Sequence, residues 1–171
     1  MRRRSSMLPG LVLFGAMLLG GCGRMIGIPS SMIGQTLTEE QKFTLKKPDG
    51  GVLSLAQLLS QKKLVLLNFW ATWCTYCVEE MPDLVKLQNE HAPEGFTVLA
   101  VNAGESAAQA SAFAKKMGLN FPVVLDEDMS VAQRYGLVGI PTSFLISSDG
   151  KVIGQYSGFT PKLVSDAEKN L

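Results

Sequence analysis

The 171-residue chain predicts an α/β fold: a three-layer sandwich with a mixed central sheet, helices on both faces and an N-terminal β-hairpin. Three observations predict it. Apolar runs of strand length alternate with stretches of helical period through the middle of the chain. The C-terminal part then reads strand, turn, strand, helix. Two short β-prone segments flank the turn residues Pro48, Asp49, Gly50 and Gly51.

Residues 42–46 and 52–55 supply the strands of that hairpin, and Ser54 caps a short helix carrying Leu55, Leu58 and Leu59. Residues 63–70 are almost continuously apolar, the pattern of a central strand buried on both faces. From Thr75 to about His91, Cys77, Met81, Leu84, Val85 and Leu87 recur on one helical face, with Glu79, Asp83 and Lys86 opposite. Pro82 lies inside this helix and kinks it. A strand at 96–102, a helix at 106–117 with Ala107, Ala110, Phe113 and Ala114 inward, and an extended piece at 121–125 follow. A helix at 129–135 leads to Gly139-Ile140-Pro141. Strands at 142–146 and 152–156 then flank the turn Ser147-Ser148-Asp149-Gly150. Thr160-Pro161, a cap followed by a first-turn proline, opens a closing helix over 161–171.

Composition fits one globular domain, with 46% hydrophobic and 18% charged residues. Residues 1–21 are set apart as an export signal: Arg2, Arg3 and Arg4 precede an apolar stretch at 7–19 that is too short to span a bilayer. Leu19-Gly20-Gly21-Cys22 resembles the lipobox of bacterial lipoproteins, which implies lipidation of Cys22 and a tethered mature protein. Removing the signal takes three of the 16 Lys and Arg and none of the 15 Asp and Glu, so acidic residues then outnumber basic ones by two. No basic patch points to nucleic acid. Residues 22–41, rich in Gly, Ser, Thr and Gln, read as a tether to a domain at 42–171.

The chemistry centres on Cys74 and Cys77, in Trp73-Cys74-Thr75-Tyr76-Cys77, between the central strand and a helix. A thiolate at a helix N-terminus meets unpaired backbone N–H groups and the positive end of the dipole, which lowers its pKa from about 8.5 toward about 3.5–7.5. Assigning Cys22 to lipid leaves these two as the sole pair. Zinc normally takes four ligands, and beyond the pair the chain offers only His91 and Cys22, so no metal is expected. A static structural disulfide remains the alternative to a redox dithiol. Glu80 falls on the apolar helical face with Cys77, Met81 and Leu84, whereas Glu79 points away. A carboxylate there raises a neighbouring thiol's pKa, has its own raised by burial, and becomes a candidate proton acceptor.

Asn68-Phe69-Trp70-Ala71-Thr72-Trp73-Cys74, Cys77, Glu80, Pro82 and Gly139-Ile140-Pro141-Thr142 together resemble the thioredoxin superfamily. Within it they are similar to the exported, membrane-tethered branch of TlpA, ResA and CcmG-type thiol-disulfide oxidoreductases. Asn68 stands where cytosolic thioredoxins carry an acid. The resemblance implies a thioredoxin-like fold over 42–171, Cys74 as attacking thiolate, Cys77 as resolving thiol and Glu80 as its proton acceptor. It further implies that Pro141 is cis and faces the cysteines, exposing the backbone of Ile140 to a substrate polypeptide. Trp73, Thr75 and Tyr76 complete the expected substrate-binding set, and Trp70 packs beneath them.

No cofactor is expected beyond the redox-active disulfide. Without a cation beside Cys74, and with Glu80 opposing thiolate formation, the direction expected is reduction. The implied partners are protein disulfides, with apocytochrome c the first candidate, and a membrane protein that delivers electrons from cytosolic thiols. The chain is expected to act as a monomer outside the cytoplasm. A general reductase or isomerase, including a repair partner in oxidative stress, is the alternative. A copper chaperone of this fold fits less well, because it needs wider cysteine spacing and a late histidine that the chain lacks.

Overall fold

The computed structural model describes residues 31–171. The expected export signal, Cys22 and the first part of the expected tether lie outside the described residues. Among the described residues seven strands and five α-helices follow one another as β1 (Thr44–Lys46), β2 (Val52–Ser54), α1 (Leu55–Gln61), β3 (Leu64–Trp70), α2 (Thr75–His91), β4 (Phe96–Ala103), α3 (Ala107–Met117), β5 (Val123–Asp126), α4 (Ser130–Arg134), β6 (Thr142–Ser147), β7 (Val152–Ser157) and α5 (Pro161–Lys169), with a short 3-10 turn at Ala92–Glu94 after α2. The strands form one mixed sheet in the order β2-β1-β5-β4-β3-β6-β7. β3, β4 and β5 run parallel, and the remaining pairs are antiparallel. This is the thioredoxin-like α/β architecture that the sequence predicts.

β3 is an interior strand between β4 and β6, and all seven of its residues are buried, as a run of apolar side chains requires when both faces are covered. Val65, Leu67 and Phe69 face a core closed by Leu55, Leu58 and Leu59 of α1 and by Val131 and Ala132 of α4. Leu64, Leu66 and Trp70 face the opposite core, closed by Met81, Leu84 and Leu87 of α2, Phe113 of α3 and Leu163 of α5. Helix starts follow their sequence signals. Ser106 and Gln109 make a capping box on α3, and the Thr160 hydroxyl accepts from the Leu163 N–H at 3.2 Å ahead of Pro161. Ser54 precedes α1 in extended backbone but makes no side-chain cap bond.

Residues 31–41, expected as the second half of the tether, lie against the domain. They run along the free edge of β7, where the Gly34 N–H donates to the Val152 carbonyl at 2.8 Å and the Val152 N–H to the Gln35 carbonyl at 2.9 Å. Met32 and Leu37 are 7% and 4% exposed, packed on the same core as α1. An edge strand leaves backbone groups unpaired, and this segment satisfies part of that row. The polar composition of the segment concealed its two apolar anchors. Among the described residues no helix is long and apolar enough to cross a membrane.

Leu37→Ala is expected to destabilise the domain by about 2–5 kcal/mol, as a buried leucine does. Urea unfolding measures it. A change under about 0.5 kcal/mol, the value for an exposed position, would return these residues to a linker.

Candidate active site

Three segments converge at one end of the sheet: the turn from β3 into α2, the loop before β6, and the turn after β4. Cys74 is the N-cap residue of α2, with extended backbone, and its Sγ accepts from the Cys77 N–H at 3.2 Å. Burial separates the two cysteines, with Cys74 7% exposed and Cys77 fully buried. They are joined in a disulfide with Cα atoms 5.2 Å apart. The Sγ of Cys74 also stands 3.7 Å from the carbonyl oxygen of Ile140. The Ile140–Pro141 bond is cis. Among the described residues the backbone groups of Ile140 have no backbone partner, so they stay open to an incoming chain beside the sulfur.

Trp73 and Tyr76 are 71% and 74% exposed, flanking the disulfide on two sides, and Thr75 is exposed between the cysteines. Trp70 is fully buried, with its ring centroid 5.0 Å from that of Phe113. Beyond Trp73 opens a cleft of about 440 Å³, whose walls include Ala103, Met129, Leu137 and Val138. Tyr76 borders a smaller notch of about 250 Å³ lined by Glu79, Glu80, Asp83 and Phe159.

Glu80 is 4% exposed on the inward face of α2. Its Oε1 accepts from Asn68 Nδ2 at 2.7 Å, and the same amide donates to Ser143 Oγ at 2.9 Å. Among the described residues Glu80 Oε2 and Asn68 Oδ1 have no hydrogen-bond partner. Burial pushes the Glu80 pKa up to about 7, opposed by the Asn68 amide and by the nearby Phe159 backbone N–H. The latter stops short of hydrogen-bond geometry. A carboxyl poised there takes up or gives up a proton near neutral pH, three residues along the helix from Cys77.

Sequence reasoning missed two parts of this site. Ser143 became visible only through strand register, since β6 places it opposite Asn68. Glu105, 6% exposed after β4, accepts from the Thr72 N–H and from Asn102 Nδ2. The signal available was Asn102 itself, a polar residue next to the end of a mostly apolar strand.

The Redoxin family model matches residues 34–171. The chain belongs to the Redoxin family. It is 37% identical over 130 residues to the thiol-disulfide oxidoreductase ResA of Bacillus subtilis, covering 75% of this chain and 72% of that one. A thioredoxin-family thiol:disulfide interchange protein from Chlorobium tepidum superposes with a TM-score of 0.62 at 34% identity, over 73% of this chain and 88% of the other. The thioredoxin domain of a thiol-disulfide oxidoreductase from Bacteroides vulgatus gives 0.72 at 25% identity, over 82% and 98%. The protein is a thiol-disulfide oxidoreductase, and the Cys74–Cys77 pair is its CxxC disulfide.

Glu80 makes a pH prediction with a definite sign. Its folded pKa, about 7, exceeds the ordinary value of 4.5, so between these limits the folded state holds a proton that the unfolded state has lost. Stability of the oxidised form therefore falls as pH rises from about 4.5 through 7, by on the order of 3 kcal/mol. Asp49, Asp128, Asp149 and Asp166 have lowered pKa values and act below this window. Denaturation at pH 5 and pH 8.5 reads the slope, and Glu80→Gln is expected to flatten it. An equal slope in both proteins would assign it elsewhere.

Proposed function

We propose that this Redoxin-family protein reduces disulfides in exported polypeptides from a membrane-tethered position, with apocytochrome c as the leading substrate. The observation that carries the reducing direction is Glu80, a buried carboxyl titrating near 7 on the helical face of Cys77. A negative charge beside a dithiol disfavours the thiolate form, destabilises the reduced state and favours giving electrons away. The resemblance of the site motifs to the exported TlpA, ResA and CcmG-type branch is the basis for placing apocytochrome c first among substrates, and the relative at 37% identity is a thiol-disulfide oxidoreductase.

In the proposed turnover the Cys74 thiolate attacks one sulfur of the substrate disulfide. One S–S bond forms to Cys74 as the substrate bond breaks, and the released substrate thiolate takes a proton. The Glu80 carboxylate accepts the proton of Cys77, whose sulfur then attacks Cys74 Sγ. That step restores the Cys74–Cys77 disulfide, expels the second substrate thiolate and leaves both electrons on the substrate. The open backbone of Ile140, the Pro141 turn and the exposed Trp73, Thr75 and Tyr76 hold the polypeptide meanwhile. In an oxidising compartment the spent disulfide requires a membrane protein that relays electrons from cytosolic thiols. Lipidation at Cys22 keeps donor and acceptor on one surface. The proposal places the protein outside the cytoplasm, as a monomer.

Trapping tests the proposal. The Cys77→Ser chain, expressed in its host, is expected to carry substrate bound to Cys74 in a reducible adduct, whereas Cys74→Ser carries none. Adducts confined to Cys77 would reverse the assigned roles. Cys22→Ala is expected to shift the protein from the membrane fraction to the soluble extracytoplasmic fraction and to abolish labelling by a fatty-acid analogue. Retention with unchanged labelling would remove the lipid anchor.

A further inference from the structure

The apolar cleft beside Cys74 is lined from three parts of the chain. One is Trp73, on the turn that leaves β3. A second is Ala103 at the end of β4 together with Met129 at the start of α4, and the third runs from Ala132 to Ile140. Packing alone holds Trp73 poorly, since its ring is mostly exposed. Glu105 supplies the missing link. Its Oε2 accepts from the Thr72 N–H at 2.8 Å and from Asn102 Nδ2 at 2.7 Å, and its Oε1 accepts from the Thr72 hydroxyl at 2.5 Å. Three donors from two segments thus meet on one buried carboxylate. Those donors are the immediate neighbours of the walls, Thr72 preceding Trp73 and Asn102 preceding Ala103. The intervening Gly104 has φ +75°, and a Cβ there would lie 3.4 Å from the Met129 sulfur, so Met129 rests directly on this turn. Glu105 and Thr72 themselves lie outside the cleft lining.

We propose that Glu105 is a positioning residue for substrate: its carboxylate ties the Trp73 wall of the cleft to the Ala103–Met129 wall, and so sets how tightly a polypeptide with apolar side chains next to its disulfide is held beside Cys74. This rests on the thiol-disulfide exchange reading. Binding of a polypeptide that fills the cleft depends on the spacing of the walls, whereas a small disulfide that touches only the sulfur does not. The clamp is therefore felt in the half-saturation concentration for the first and not in the rate with the second. Glutamine can keep the geometry. Its Oε1 can accept from the Thr72 N–H and Asn102, and its Nε2 can donate to the Thr72 hydroxyl oxygen. Glu105→Ala loses all three bonds, and Thr72→Val loses one.

The test uses the full chain in reduced form, mixed in stopped flow with a synthetic peptide holding a Cys-x-x-Cys disulfide between leucines and valines, and separately with oxidised glutathione. Glu105→Ala is expected to raise the half-saturation concentration for the peptide about tenfold, and Thr72→Val about threefold. The limiting rate and the glutathione rate stay within about twofold, and Glu105→Gln stays within about twofold of wild type throughout. Equal losses on peptide and glutathione, or an unchanged half-saturation in both Glu105→Ala and Thr72→Val, overturn the clamp. Should Glu105→Ala fail to fold, Thr72→Val decides alone. A wild-type chain inert toward both disulfides overturns the exchange reading itself, and the clamp with it.

Discussion

One polar contact inside an apolar core organises this site: Asn68 of β3 donating at once to Glu80 of α2 and to Ser143 of β6. β3 is buried along its whole length, so any polar side chain on it must find partners within the protein or cost roughly 1–3 kcal/mol. The Asn68 amide finds two, yet among the described residues its own carbonyl oxygen and the second Glu80 oxygen stay unpartnered. A core selected for stability alone would fill this space with hydrocarbon. The arrangement fits a group kept buried so that its proton exchanges near neutral pH.

The same contact joins both sides of the sulfur chemistry. α2 carries Cys74 at its N-cap and Cys77 in its first turn, while β6 begins one residue after Pro141. Ser143 and Glu80 are thus second-row residues behind the two surfaces that a substrate polypeptide would meet. Their shared donor sits on a strand that is buried along its whole length. Proton uptake at Glu80 and the seating of α2 against β6 are therefore properties of one hydrogen-bonded chain.

The fold was legible because its strongest signals are one-dimensional. The apolar run before Trp70 and the helical spacing of Cys77, Met81, Leu84 and Leu87 placed β3 and α2 to within a residue. The position of Glu80 on the inward face followed from helical geometry, and its burial bears out that reading of the spacing. Other parts depend on three-dimensional pairing. Ser143 needs the register of β6 against β3, and Glu105 needs the end of β4 to meet the turn after β3. Residues 31–41 misled for a different reason: two apolar anchors in eleven residues give no period, although an open sheet edge is enough to bind them.

Glu80 and Glu105 show how the surroundings of one functional group separate its uses. Both are almost wholly buried near the same disulfide. Glu105 receives three hydrogen bonds, each from a segment whose placement matters, so its bonding capacity goes into geometry. Glu80 receives one side-chain hydrogen bond, and burial outweighs it, which leaves the proton exchangeable near neutrality. Adding a second strong donor to Glu80 would lower its pKa and turn it into another anchor. The number of donors each carboxyl meets separates the proton-transfer role proposed for Glu80 from the positioning role proposed for Glu105.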